Sequence, residues 1–336
     1  MFKRLLTLTA LLAIFAAAGA GALAWWVHQP LSLAYSTVEF TLDKSATGKT
    51  VAQQVVDAGV QTQPSLLQLW FRISGDARKI KAGSYELEAG VTPRSLLKKL
   101  VSGDQAFKTV TLVEGWTFAQ LREALSKAEH LKQETRGLSA DLIMEKLGKP
   151  GLKPEGRFFP DTYTYTKGNS DWVVLKSALQ AMNKNLAAAW EQRANDSPLK
   201  SMDDALTLAS IVEKETGSKE DRDMVGSVFN NRLRIGMPLQ TDPTVTYGAG
   251  PAKGKEYDGN WLLAKADDNP WNTYLRAGLP PTPIAMPGKA ALLAAVQPKP
   301  SSALYFVAKG DGTGDSQFSD TLEEHNRAVN KYIRGK

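Results

Sequence analysis

Residues 5–27, LLTLTALLAIFAAAGAGALAWWV, carry no charged side chain, and no other feature limits the folding of this chain as sharply. Such a segment cannot stay open to water: it must enter a core, cross a bilayer or be removed. As a helix rising about 1.5 Å per residue it reaches roughly 34 Å, enough to cross a hydrocarbon layer about 30 Å thick. Lys3 and Arg4 precede it, and Trp25 and Trp26 close it. That is the order of a span whose cationic end stays in the cytoplasm and whose aromatic end lies at the far interface. The run AAAGAGALA also offers the small residues of a signal-peptide cleavage site. The apolar stretch is long for a signal peptide, so an uncleaved anchor is expected. Either reading exports the remainder, and no later stretch is long and apolar enough to span again.

The exported part has the composition of a folded protein, with 43% hydrophobic and 23% charged residues over the 336-residue chain. It has no cysteine, and its three histidines, His28, His130 and His325, stand in no HxH or HExxH spacing. Thiolate chemistry is excluded, and a histidine metal site or a Ser-His-Asp triad is not expected. No cofactor is called for. The net charge of +6 is modest and no run of five basic residues occurs, so a nucleic-acid partner is not expected either. Chemistry falls to carboxylates, hydroxyls, lysines and amides.

Pattern and punctuation divide the chain into a cytoplasmic stub (1–4), a transmembrane anchor (5–27), a juxtamembrane linker (28–37), a small subdomain (38–107), a connecting α/β segment (108–150) and a larger domain (151–336). The expected fold class is α+β. In the small subdomain, VEFTL alternates like a strand, TVAQQVVDAGV and SLLQLWFRI read as helices, and KAGSYELE reads as a turn and strand. TPRSLLKKLVSG adds a helix ending at Gly103. Strand, helix, helix, strand resembles the LysM-like module, which implies either binding of N-acetylglucosamine polymers or scaffolding alone. Thr117 is placed to open a helix in the connecting segment, and a long helix is expected from Asp171 to about Arg193. Asp203 or Asp204 can cap a helix running to Thr216, and Ser218 with Asp221 resembles a capping box for the next. The segments MPLQTDPTVTYG and DNPWNTYLRAGLPPTPIAMPG read as Pro/Gly-rich loops. A helix (289–296), a strand (303–308) and a terminal helix (321–333) complete the pattern.

The helix ending ASIVEKET places carboxylates in a suggestive way. At about 100° per residue, Glu215 falls on one flank of an apolar face between Leu208 and Ile211, and Glu213 on the other flank between Ala209 and Leu206. Lys214 points to solvent. A carboxyl against aliphatic walls is held toward its neutral form, as a general acid requires. Two surface glutamates near a helix end would show the same spacing, and periodicity alone does not choose between Glu213 and Glu215. Ser210 with Lys214, and Ser95 with Lys98, match the short spacings of Ser/Lys hydrolases. Both members of the first pair are expected on the polar side, where lysine stays charged and cannot act as a base. A non-catalytic wall-binding scaffold is the remaining alternative.

The run ASIVEKETGSKEDRDMVGSVFNNRLRIGMPLQTDPTVTYG, with LVEGWTF, EGRFFPDTY, NTY, GLPPTPIAMPG and LYFVAKGDG in that order, resembles the membrane-anchored endolytic murein transglycosylases of the YceG-like family. The resemblance covers nearly all of the exported chain. It implies cleavage of the β-1,4 bond between N-acetylmuramic acid and N-acetylglucosamine within peptidoglycan strands, without water, to leave a 1,6-anhydro end. Such a cut would terminate or release nascent strands. The family's catalytic glutamate corresponds to Glu215 here, with Thr216 as the hydroxyl residue that follows it. Glu213, Asn230, Gln240, Asp242 and Tyr247 are the residues expected to hold substrate or steady the transition state. Peptidoglycan strands, the bacterial inner membrane and peptidoglycan synthases are the implied partners, with the catalytic body in the periplasm.

Overall fold

A computed structural model describes residues 2–43, 46–215, 221–254, 257 and 259–335. They form two compact units, Met1–Lys108 with Tyr165–Asn169, and Thr109–Thr164 with Ser170–Lys336. The architecture is mixed α+β with one apolar amino-terminal helix, as the sequence predicts.

In the first unit, α1 (Phe2–Trp26) is the one helix among the described residues that is long and apolar enough to cross a membrane. β1 (Ser32–Leu33) pairs antiparallel with β3 (Val60–Gln61), and β2 (Thr37–Leu42) with β4 (Gly83–Glu88). Alternation in β2 buries Val38, Phe40 and Leu42. Between the strands lie α2 (Gly48–Asp57) and α3 (Pro64–Ile73), and α4 (Pro93–Ser102) follows them. Thr47 caps α2, and Thr92 and Ser95 cap α4 reciprocally, satisfying amides that the first turn leaves open. Val51, Val55, Leu67, Phe71, Tyr85, Leu96 and Leu100 form the core. The juxtamembrane linker, residues 28–37, carries secondary structure of its own. It contains β1, Leu31 donates its N–H to Val91 O (2.7 Å), and Val27 O accepts from the Arg94 N–H (3.1 Å).

The chain continues through β5 (Phe107–Thr111), α5 (Phe118–Lys127) and α6 (Ala140–Lys146) to β6 (Thr162–Thr166), the partner of β5. Then come α7 (Asp171–Glu191), α8 (Met202–Glu215), α9 (Arg222–Arg234), α10 (Asp242–Ala249), α11 (Trp261–Ala266) and α12 (Lys289–Val296). β7 (Tyr305–Ala308) pairs antiparallel with β8 (Ser316–Ser319), and α13 (Leu322–Val329) follows. Helix α8 is the centre of the second unit, packed by α7, α9 and α12. The close approach of α9 to α12 depends on Gly226, where a Cβ would stand 2.2 Å from Ala294 O.

Two local expectations change. The α8 cap is Ser201, whose Oγ accepts from the Asp204 N–H (3.1 Å) while the Asp204 carboxylate accepts from the N–H groups of Lys200 (2.8 Å) and Ser201 (3.1 Å). Asp203 instead accepts from Arg157 (2.6 Å). Helix α10 occupies a stretch read as loop, because Pro243 sits in its first turn, where proline's missing N–H removes no helix bond. Ser218 of the proposed second cap lies outside the described residues.

Candidate active site

Helix α8 delivers Glu215 as its last residue; Thr216 lies outside the described residues. The Glu215 carboxylate meets the start of α10, accepting from the Thr241 hydroxyl and from the Asp242 backbone N–H. Burial pushes its pKa above the ordinary 4.5, and the Asp242 charge adds to the rise. The Thr241 hydroxyl, the Arg232 guanidinium and the Asp242 N–H act in the opposite sense, and burial prevails. The result is a carboxyl that keeps its proton to higher pH than a free one while hydrogen-bond donors stand ready for its anion.

The turn before α10 is fixed from the NTY string. Thr273 accepts the Gln240 N–H at its carbonyl and the Thr241 N–H at its hydroxyl, each at 3.1 Å, and its hydroxyl lies 2.8 Å from that of Thr244. Tyr274 donates its hydroxyl to Asp242 Oδ1 at 2.5 Å. Burial first, then Asp242 and Glu215, pushes the Tyr274 pKa upward, so it remains a donor. Asn272, fully buried, ties the string to Lys265 O and Asp267 O at 2.9 Å each. Gln240 takes a left-handed backbone with φ 50°, a conformation uncommon outside glycine. Its side chain and that of Asp242 are exposed on either side of buried Thr241. Arg232 is buried and donates to Leu304 O (2.7 Å) and Leu239 O (2.6 Å).

The other carboxylate of ASIVEKET has a different environment. Glu213 Oε2 accepts from the Gly288 N–H (2.9 Å), and Oε1 lies 3.7 Å from Arg222. Burial raises its pKa, the Gly288 N–H and Arg222 oppose the rise, and Glu114 adds to it. A Cβ on Gly288 would stand 1.9 Å from the Glu114 carboxylate, so any larger residue here would push the Glu114 side chain aside. Glu213 thus ties the end of α8 to the residue that precedes α12.

Asn230 is buried on α9, where its amide donates to Gly226 O (2.8 Å) and Ala295 O (3.0 Å) in helix packing. Tyr247, buried on α10, donates to Glu155 Oε2 (3.1 Å) and packs edge-on against Trp271. Glu155 also accepts from the Phe118 N–H (2.9 Å), and burial raises its pKa to about 7. Ser210 is not on a polar side: it is fully buried, donating to Thr207 O (2.7 Å) and accepting from the Ile284 N–H (3.0 Å). Helix α8 is buried on every side from Ala205 to Val212, so its wheel has no solvent face there. Ser95 Oγ is engaged in the α4 cap. Arg232, Thr241, Thr273, Tyr274 and Glu155 had no assigned role in the sequence, although EGRFFPDTY and NTY contain three of them.

The mixed α+β fold thus brings a part-buried carboxyl with a raised pKa to a helix start beside exposed polar side chains, an arrangement able to support acid–base chemistry. The chain belongs to the YceG-like family, which matches residues 40–331. It is 30% identical over 320 residues to the endolytic murein transglycosylase of Bacillus subtilis (strain 168), covering 90% of this chain and 86% of that one. It is 29% identical over 291 residues to the endolytic murein transglycosylase of Streptococcus pneumoniae (strain D39), covering 76% of this chain and 51% of the other. A crystal structure of a yceG-like protein from Listeria monocytogenes aligns with a TM-score of 0.53 and 28% identity, over 87% of this chain and 98% of that one.

Proposed function

We propose that this protein is an endolytic murein transglycosylase, a lyase of peptidoglycan strands. The observation that carries the reading is the Glu215 carboxyl at the start of α10, with its pKa raised by burial and its anion provided with donors. Protonated Glu215 gives its proton to the glycosidic oxygen between N-acetylmuramic acid and N-acetylglucosamine as the bond from C1 to that oxygen breaks. The muramoyl 6-hydroxyl oxygen then bonds to C1, and its proton returns to Glu215. The carboxyl ends as it began, and the product carries a 1,6-anhydro ring. Glycosidases that use water need a second carboxylate as nucleophile or base; an internal hydroxyl removes that need. Exposed Gln240 and Asp242 are assigned as sugar contacts, and Glu213, Asn230 and Tyr247 as residues that position the frame. A Ser/Lys hydrolase is disfavoured because the Ser210 hydroxyl is buried and bonded on both sides.

The remaining assignments follow from the same reading. Helix α1 is the single-pass anchor in the bacterial inner membrane, with Lys3 and Arg4 inside and the catalytic body in the periplasm. Residues 38–107 form a LysM-like subdomain, 108–150 a connecting segment and 151–336 the catalytic domain, with peptidoglycan synthases as partners. Digestion of purified peptidoglycan in oxygen-18 water tests the chemistry. Mass spectrometry is expected to find anhydro-muramoyl ends without label; labelled reducing muramoyl ends would overturn the reading.

A further inference from the structure

Between the last turns of α1 and helix α3 lies an open groove of roughly 830 Å³. Leu23 and Trp26 line one wall, and Leu66, Leu69, Trp70 and Ile73 the other. The four α3 positions follow the i, i+3, i+4, i+7 spacing of a single helix stripe. This stripe is not the one that builds the core: Leu67 and Phe71, on another side of α3, are fully buried in it. Leu69 remains 44% and Ile73 60% exposed. Trp70 is partly buried against the core, so α3 has a second apolar face that the protein leaves open at Leu69 and Ile73.

We propose that this uncovered α3 face is seated in the outer leaflet of the bilayer beside α1, with lipid acyl chains filling the groove. The proposal rests on reading α1 as a retained membrane anchor. Its argument is continuity: the groove's first wall is the end of the span itself, so the layer that covers α1 meets α3 as well. The two helices are not loosely tethered. Val27 is buried, its carbonyl accepts from the Arg94 N–H, and Leu31 is bonded to Val91 directly after it. Trp70 Nε1 donates to Pro93 O (3.1 Å), which fixes α3 to the start of α4 at the same corner. A glycan finds few partners for its hydroxyls here, because leucine and isoleucine supply none and the Trp70 indole N–H is already given to Pro93 O. Arg94, exposed in the first turn of α4 against the residues that follow α1 and bonded to His28 Nε2 (2.9 Å), sits where lipid phosphates would meet a cation. Ser65, Gln68 and Arg72 are exposed on the remaining side of α3, so that side faces water. The arrangement is that of an amphipathic helix lying in the interface.

The absence of cysteine makes the test direct, since one introduced thiol takes one label. Full-length Leu69→Cys, Ile73→Cys, Gln68→Cys and Leu12→Cys would each carry a nitroxide in phosphatidylethanolamine–phosphatidylglycerol vesicles. Collision with oxygen, which concentrates in hydrocarbon, is compared with collision with a water-soluble nickel complex. The expected result is oxygen-dominated relaxation at positions 69, 73 and 12, and nickel-dominated relaxation at 68. Nickel-dominated relaxation at 69 and 73 with oxygen still dominant at 12 would overturn the proposal and leave the anchor reading standing. Loss of the oxygen signal at 12, or an intact mass lacking the first segment, would overturn both. Spin–spin broadening between copies, or protection of 69 and 73 from both reagents, would assign the groove to a protein partner and also overturn it.

Discussion

The first unit builds its core from side chains such as Val51, Leu67, Phe71 and Leu100, and Ser84 is the polar residue buried with them among the described residues. Ser84 is bonded to Thr41 (2.9 Å) and to Lys167 O (2.8 Å) within the same unit. The second unit buries Glu155, Asn230, Arg232, Thr241, Thr244, Asn272 and Thr273. A buried polar group left unbonded costs about 1–3 kcal/mol, and all seven side chains make at least one hydrogen bond, although Asn230 Oδ1 has no partner. The first pattern maximises burial per residue. The second gives up apolar area: Arg232, Thr241, Thr244, Asn272 and Thr273 fix the turn at 240–244 and the carboxyl it receives, while Asn230 joins α9 to α12 and Glu155 holds Tyr247 of α10. Stability and activity should therefore respond to different sets of substitutions.

The strongest way to break this comparison is a matched pair of variants. Phe71→Ala removes a fully buried ring from the first core and should lower stability by about 3–5 kcal/mol. Its folded fraction should keep wild-type turnover. Glu215→Gln keeps shape and most hydrogen bonding, so melting should change little, while turnover falls about 10²–10⁴-fold, roughly 3–5 kcal/mol of barrier. Glu213→Gln leaves an amide oxygen for the Gly288 N–H and should lose less than about tenfold. Anhydro-product formation and thermal melts on all three decide the matter. Near-normal turnover in Glu215→Gln beside a dead Glu213→Gln would move the acid by two positions.

A second break concerns Glu155, whose carboxyl titrates near 4.5 when free and at about 7 in the folded protein. Between those values the folded state holds a proton that the unfolded chain has released. Its stabilisation is therefore complete below about pH 4.5 and is lost as pH rises to about 7, on the order of 3 kcal/mol in all. Glu155→Gln has no proton to lose and should flatten that part of the stability–pH curve. Urea unfolding at a series of pH values is the measurement. An equal slope in both proteins would show that Glu155 is not the group responsible.

The same contrast explains what could be read from the sequence. Elements of the first unit are governed by local signals: alternation in β2, Thr47 before α2, and the Thr92–Ser95 pair before α4. In the second unit, Thr117 marked α5 for the same reason. The acidic string at the end of α8 was legible because aliphatic residues precede it at helical spacing. Ser210 was misplaced because a helical wheel assumes one solvent face, whereas the chain near Ile284 covers that side of α8. Helix α10 reads as loop from sequence because Pro243, Thr244, Val245, Thr246 and Gly248 have low helix propensity, and tertiary bonds such as Thr244 to Thr273 hold it instead. Glu155 could not be found from sequence, since its burial depends on Tyr247 and Phe118 arriving from distant segments.

The smallest expected effect sharpens the account of how Glu215 is tuned. The Asp242 charge is one of the causes that raise the Glu215 pKa, while the Asp242 N–H and the Thr241 hydroxyl lower it. Asp242→Asn removes the charge and keeps both donors to Glu215, as well as an oxygen able to accept from Tyr274. The acid must be protonated to act, so the rate falls as pH passes the pKa of Glu215. With the negative neighbour gone, that pKa drops, and the alkaline limb of the kcat/KM profile should move to lower pH. Because the Asp242 side chain is exposed, solvent and ions screen it, and the shift should be under about one pH unit. Added salt should shrink the difference between wild type and variant. The position of the limb is independent of any loss in sugar binding, which would scale the whole profile without moving it. A limb that stays fixed at low salt would show that the Asp242 charge does not contribute to the proton affinity of Glu215, and one that moves upward would reverse the sign assigned to it.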